Sequence, residues 1–188
     1  MAEAASGQSY DELLRQLVFS PLGLKRTSLP TGLEIPEPYV RGYDNTPPNP
    51  PEDISQVINA SQVWAAGALI STPKELTRFI RAYARGELIT RGLRDQQRKF
   101  LPGAAGEPPG PGQNSGGLAL YRYRTDCGRV LGHSGNFPGY TTLMISTPNG
   151  RRSAVVSVNE QLAEDAKPQT FEHLRPVFEL AACAALPR

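Results

Sequence analysis

The stretch Gly132-His133-Ser134-Gly135-Asn136-Phe137-Pro138-Gly139-Tyr140 constrains the chain most. Residues 127–131 ahead of it read as a strand, and residues 140–146 and 153–158 behind it read as two more. Thr147-Pro148-Asn149-Gly150 joins the last two and is a hairpin turn signal. An antiparallel sheet is the architecture these segments require. A histidine, a hydroxyl and a glycine in a row at the end of a strand put an imidazole and an alcohol near approachable backbone, because Gly135 has no Cβ to block a ligand. Such a strand can bind a substrate by edge pairing. Taken alone, the same residues also describe a partly exposed strand histidine flanked by turn glycines.

The chain in front of this stretch alternates helices with loops. Residues 9–19 carry Tyr10, Leu13, Leu14, Leu17 and Val18 at helical spacing, with Ser9 as N-cap and Glu12 as capping-box partner, and Pro21 is expected to stop the helix. Residues 31–51 are rich in Pro and Gly and form a long surface loop, a kind of segment that is often functional. Residues 61–70 are apolar with small side chains, and Trp64 is expected in the core. Pro73 opens a second amphipathic helix with Leu76, Phe79, Ile80 and Tyr83 on its buried face and Gly86 as its stop. Residues 88–100 predict a short helix, and residues 102–117 a Gly/Pro-rich loop that is the most mobile stretch.

Residues 118–124 alternate, which places Arg122 and Arg124 on the face opposite Tyr121 and Tyr123. Residues 167–186 close the chain as a helix with Phe171, Leu174, Val177, Phe178 and Ala181 inward, and His173 as a surface residue. Hydrophobic residues make up 39%, enough for one core. With a net charge of +2 and basic residues scattered along the sequence, nothing points to nucleic acid. No apolar run reaches membrane-spanning length, and the first residues lack the pattern of a signal peptide. Cys127 and Cys183 fit no metal-ligand spacing; they are either a disulfide between the strand before His133 and the last helix, or two unpaired core thiols.

In their order along the chain, several pieces resemble the C-terminal half of the penicillin-recognising serine hydrolases: class C β-lactamases, D-alanyl-D-alanine carboxypeptidases and related esterases. The pieces are Gly7-Gln8-Ser9-Tyr10, residues 19–24 with Thr27 and Ser28, Gly42-Tyr43, Trp64-Ala65-Ala66-Gly67, Ser71-Thr72 with Leu76 and Phe79, residues 117–120, and Gly132-His133-Ser134-Gly135 with Gly139-Tyr140. The resemblance implies an α+β fold of the β-lactamase/transpeptidase type, represented by the last three strands of its antiparallel sheet, the C-terminal helix and part of the helical region. In that division residues 8–100 are mainly helical and residues 117–188 supply strands and the last helix. The pattern looks like that of the secreted DD-peptidases, where cysteines placed like Cys127 and Cys183 are disulfide-bonded, so the resemblance implies that pairing here.

Three motifs build that family's site: Ser-x-x-Lys with nucleophile and base, Tyr-x-Asn for proton transfer and amide binding, and Lys- or His-Thr-Gly as a strand clamp on the substrate. His133-Ser134-Gly135 matches the third, with Ser134 keeping the hydroxyl of the usual Thr, and Asn136 would carry the strand's oxyanion-hole N–H. Arg122 and Arg124 are candidate readers of a substrate carboxylate. Ser71-Thr72-Pro73-Lys74 and Tyr43-Asp44-Asn45 imitate the other two motifs in the wrong order, and are read as a helix cap and a turn.

The nucleophile-bearing part is therefore expected outside this chain, which would make residues 1–188 the C-terminal portion of one domain, inactive alone. The implied function is that of a serine hydrolase acting through an acyl-serine on D-Ala-D-Ala peptides, β-lactams or small esters in the extracellular space or periplasm. A non-catalytic peptide-binding or structural remnant is the alternative. The implied partners are a small-molecule or peptide substrate and the missing N-terminal half; no metal or organic cofactor is implied.

Overall fold

The computed structural model describes residues 1–46, 48–106, 108–162 and 167–186. Its centre is a six-stranded antiparallel sheet in the order β3-β4-β5-β6-β7-β8, formed by Leu101–Pro102, Gln113–Gly116, Tyr121–Thr125, Gly128–Phe137, Tyr140–Ser146 and Ser153–Val158. The two-residue strands β1 (Tyr43–Asp44) and β2 (Glu52–Asp53) pair separately. The three expected closing strands are β6 to β8, and the alternating residues 118–124 supply β5; the sheet continues beyond them through β4 and β3. β3 and β4 were hidden because Gln113-Asn114-Ser115-Gly116 has no apolar alternation; it pairs with β5 through its backbone.

Register divides β6 between two layers. Val130, Gly132, Ser134 and Asn136 share a face with their partners Tyr123, Tyr121, Leu143 and Thr141, whereas Leu131 and His133 share the other with Arg122 and Met144. The first face packs on α6 (Pro168–Ala185): Tyr123, Val130, Leu143, Ile145, Phe171, Leu174, Phe178 and Ala182 form the main core. The second face is covered by α4 (Pro73–Arg85), where Ala84, Leu131 and Leu120 meet. Gly132 is required at the centre, since a Cβ there would lie 2.1 Å from the carbonyl oxygen of Met144.

On α6, Val177 is 45% exposed and does not face the core as expected. Phe171, Leu174, Phe178, Ala182 and Ala185 already form the buried stripe, and at about 100° per residue Val177 falls well outside it.

The caps of the earlier helices follow their sequence signals. Ser9 and Glu12 form the capping box of α2 (Tyr10–Leu14), and Thr72 caps α4, which Gly86 ends in the left-handed conformation. Pro21 does not stop the first helical segment: α2 continues through a π-turn, Arg15–Phe19, into α3 (Ser20–Leu22), where Pro21 occupies a first-turn position that needs no N–H. Gly23, left-handed, ends it. A short helix α1 (Ala2–Ser6) precedes these, and α5 (Arg91–Gln97) fills the expected helix before the sheet. Trp64 is not in the core: it is 42% exposed, with φ 43°, inside a 3₁₀ segment, Ala60–Ala66. Residues 102–117 are not a free loop either, since Pro108 and Pro111 are fully buried.

Cys127 and Cys183 are bonded, with Cα atoms 5.2 Å apart and a sequence separation of 56. The bond ties the β5–β6 turn to α6. Breaking it with Cys127→Ser and Cys183→Ser together is expected to lower stability by about 2–4 kcal/mol, read as a lower midpoint in urea, because the open loop regains its entropy when unfolded.

Glu75 is buried in the first turn of α4, where its carboxylate accepts the Arg26 amide at 3.0 Å and the Thr27 hydroxyl at 2.6 Å. Burial raises its pKa, and the bonds from Thr27, Arg26 and Lys25 outweigh that, leaving it below the ordinary 4.5. A depressed folded-state pKa adds stability that is present above 4.5 and is lost as pH falls through the lower folded value. Urea midpoints measured from pH 7 downward should therefore fall below pH 4.5 less steeply in Glu75→Gln than in the parent, with the variant weaker at neutral pH by about 1–3 kcal/mol.

Candidate functional site

β6 is ten residues long, yet β5 pairs only with Gly128 to Gly132. On that side the strand runs on from His133 to Phe137 with no strand beside it among the described residues, while β7 pairs it on the other side as far as Phe137. Backbone N–H and C=O groups that point outward along this half-edge can accept an extended ligand. Gly135 is exposed at its middle, and a Cβ placed on it would meet nothing within 4 Å. The strand runs on past residues 127–131, to which its local pattern was confined, so that His133-Ser134-Gly135 lies within it, as the resemblance implies, and Pro138-Gly139 makes the turn.

The half-buried His133 ring meets Tyr121 edge-on, with centroids 5.0 Å apart and planes at 63°. Its Nδ1 contacts the carbonyl oxygen of Ser134. A carbonyl can only accept, so Nδ1 carries the hydrogen and Nε2 of the neutral ring is left to accept from a ligand. Ser134 points to the opposite face: it is 4% exposed and its hydroxyl donates to the Pro108 carbonyl. The Asn136 side chain turns the same way, donating to Leu162 O at 2.9 Å and accepting from the Thr141 hydroxyl at 2.6 Å. Of the expected quartet, the structure thus keeps the His133 ring and the open backbone at Gly135 on the side away from α6 or at the edge, and commits the Ser134 and Asn136 side chains to holding the strand.

Beside Ser134, the buried Tyr123 phenol has no hydrogen-bond partner among the described residues, and burial pushes it well above its ordinary value. Arg122 shares the His133 face, with its guanidinium 4.8 Å from the Phe100 ring centroid, and Arg124 is exposed directly opposite Arg129. Arg98 and Arg129 were not singled out in the sequence. Only the hairpin register that sets Arg124 against Arg129 was within reach of a sequence argument.

The hydroxyl of Ser71 contacts Thr27, and no hydrogen bond joins it to Lys74 among the described residues. Thr27 has one hydroxyl hydrogen and gives it to Glu75, so the 2.8 Å contact between Thr27 and Ser71 requires Ser71 to donate. Lys74 is exposed. Tyr43 sits in β1, with its amide bonded to Asn159 O at 3.0 Å, and His173 is exposed on α6. The described residues contain no group of three or more His, Cys, Asp or Glu side chains able to hold a metal.

Comparison with known proteins gives this geometry a setting. The family model described as Beta-lactamase matches residues 1–175. The chain belongs to the Beta-lactamase family. Penicillin-binding protein 4* of Bacillus subtilis (strain 168) is 25% identical over 169 residues, covering 85% of this chain and 37% of that protein. Among solved structures, a D-stereospecific amidohydrolase from Streptomyces sp. superposes with a TM-score of 0.75 at 27% identity, over 92% of this chain and 50% of that one. The D-amino acid amidase from Ochrobactrum anthropi SV3, complexed with L-phenylalanine amide, gives 0.76 at 25% identity, over 97% and 53%. This Beta-lactamase-family chain therefore spans about half the length of the structures it matches, or less.

Because the Ser134 hydroxyl serves the buried Pro108 carbonyl, Ser134→Ala is expected to cost about 1–3 kcal/mol of stability, the range for leaving a buried acceptor unmatched. Chemical denaturation measures it. Limited proteolysis should then cut faster within residues 104–111, and an unchanged cleavage rate would mean that the loop is held by its prolines alone.

Proposed function

We propose that this chain is the substrate-clamping portion of a serine hydrolase that works through an acyl-serine, its nucleophile carried on a segment outside these 188 residues. The observation that carries the reading is the half-edge from His133 to Phe137, unpaired on the β5 side and open at Gly135. An amide or lactam laid along it as an added strand would place its carbonyl against outward N–H groups, with Asn136 N–H as one wall of the oxyanion hole and the nucleophile's own N–H as the other. His133 Nε2 would accept a hydrogen bond from the substrate.

Membership in the Beta-lactamase family and the likeness to an amidohydrolase and an amidase for D-amino acids support a substrate with an amide or lactam beside a D-centre. D-Ala-D-Ala peptides, β-lactams and D-amino-acid amides share that element; small esters would enter by the same acyl transfer. Likeness to a penicillin-binding protein supports a secreted or envelope location for the whole protein. No helix among the described residues is long and apolar enough to cross a membrane.

The test is covalent labelling with a fluorescent penicillin, followed by denaturation. The chain alone should carry no label, and Ser71→Ala should not alter that. Supplied with a Ser-x-x-Lys-bearing segment encoded upstream, it should be labelled. In that complex Gly135→Val should slow labelling by about 10²-fold or more, because a branched side chain at this open position would push the ligand off the edge. Label on the chain alone that vanished in Ser71→Ala would overturn the reading, and so would a complex that stayed unlabelled with penicillin and left D-phenylalanine amide uncleaved.

A further inference from the structure

We propose that the outer edge of β8 is a docking site for one further strand, supplied by the nucleophile-bearing segment outside these 188 residues. The identity of that strand rests on the acyl-serine reading; the open edge does not. β8 ends the six-stranded sheet, yet it is built like an interior strand. Ala154, Val156 and Val158 pack on the α6 core, and Val155 faces the side covered by α4. Cover on both faces, with β-branched residues on each, is what an interior strand has. Edges are normally blunted by brevity, proline, charge or a bulge. β3, at the other end of the sheet, has only two residues and ends in Pro102. Ser153-Ala154-Val155-Val156-Ser157-Val158 has no proline and no charge, and its register with β7 runs unbroken from Ser153 to Val158.

The hairpin fixes which backbone groups are free. Thr147 N donates to Arg152 O at 2.9 Å, which makes these two a hydrogen-bonded pair in the β7–β8 register. Antiparallel pairs alternate, so Ala154, Val156 and Val158 bond β7, while the N–H and C=O groups of Ser153, Val155 and Ser157 point away from it. None of those groups has a hydrogen-bond partner among the described residues. Asn159, next in the same series, shows what the edge does when a neighbour is present. Its carbonyl accepts the Tyr43 amide at 3.0 Å, beside a parallel bridge between Tyr43 and Glu160. The chain thus closes its own edge at Asn159 and leaves Ser153 to Ser157 open.

α6 supplies a roof for the added strand. Arg175, Glu179 and Cys183 form one flank of the helix and reach Gly112, Asp126 and Cys127, on the β5 side of the sheet. At about 100° per residue, Val177 and Leu180 fall on the opposite flank, toward β8, and are 45% and 70% exposed. A strand beside β8 would cover Val177, so its residues on that face should be apolar. The occupant follows from length and geometry. The chain covers 50% and 53% of the amidohydrolase and amidase structures, so about half of each of those folds has no counterpart in these residues. A second copy fits less well: a twofold axis at Val155 would set its Arg151 opposite Asn159, where Tyr43 already sits.

The test mixes the 188-residue chain with the Ser-x-x-Lys-bearing polypeptide encoded upstream and follows amide hydrogen exchange by NMR. Exchange at Ser153, Val155 and Ser157 should slow by about tenfold or more on association, since each N–H gains a partner. Ser157 is exposed and its N–H faces outward, so Ser157→Pro should leave thermal unfolding of the chain unchanged and weaken association by about tenfold or more. Val177→Lys, also at an exposed site, should weaken it to a similar degree. Association with unchanged exchange at the three amides, or undiminished in both variants, would overturn the docking even where penicillin labels the complex. Slowed exchange in a complex that takes no label and cleaves no amide would uphold the docking and count against acyl transfer. Failure to associate would overturn the docking, as would a dimer of the chain alone that Ser157→Pro dissociates, because a second copy would then hold the edge.

Discussion

The pairing of β6 is the constraint on which the other features depend. Along one side β7 bonds it as far as Phe137, and along the other β5 stops at Gly132. Because strand side chains alternate, one register decides at once that Val130, Ser134 and Asn136 face α6 and that Leu131 and His133 face away from it. A slip by one residue would bury Arg129 in the main core in place of Val130. The close fit of Gly132 against Met144 and Ile145 helps forbid that slip, since any other residue there would strike backbone.

The same register separates holding from presenting. Ser134 and Asn136 look like reagents in the sequence, yet their side chains serve as fasteners, one to the Pro108 carbonyl and one to Thr141 and Leu162. Thr141, whose one hydroxyl hydrogen goes to Asn136, completes that second fastening by accepting the Leu162 amide at 2.9 Å, which anchors the segment after β8. What the strand can offer a ligand is then the His133 ring and main-chain groups. A clamp made of backbone is indifferent to whether the motif's hydroxyl is Thr or Ser, so the departure at Ser134 costs the edge nothing.

Much of the fold was legible because its signals are local. The Ser9–Glu12 capping box, the Thr72 cap with Gly86 as stop, and the Thr147 to Gly150 turn each depend on a few adjacent residues and appear as their sequences dictate. What escaped depends on partners distant in sequence. β4 is polar and forms because β5 offers a ladder; Trp64 is exposed although apolar; Val177 lies off a stripe that Phe171, Leu174 and Phe178 fill first. The Cys127–Cys183 bond was legible only by resemblance, since spacing alone left paired and unpaired thiols equally acceptable. The site shows the same division: the position of His133-Ser134-Gly135 on a strand could be read, but the directions of its side chains required the register.

A sheet that stops pairing halfway along a central strand should expose its core at that point, and the loop over Ser134 shows why it does not. Residues 104–106 and 108–111 lie across the α6-facing side of the sheet, where Gly106 abuts the Ser134 hydroxyl and the Tyr121 ring, Gly110 abuts Tyr123, and Pro108 and Pro111 are fully buried. The loop covers the apolar rings without joining the ladder, because proline has no N–H to give to a neighbouring strand. A sequence richer in β-formers at the same place could instead have paired with β6 and closed the edge. Proline and glycine here do two things together: they shield the core from water and they leave the His133 to Phe137 edge unpaired on the β5 side.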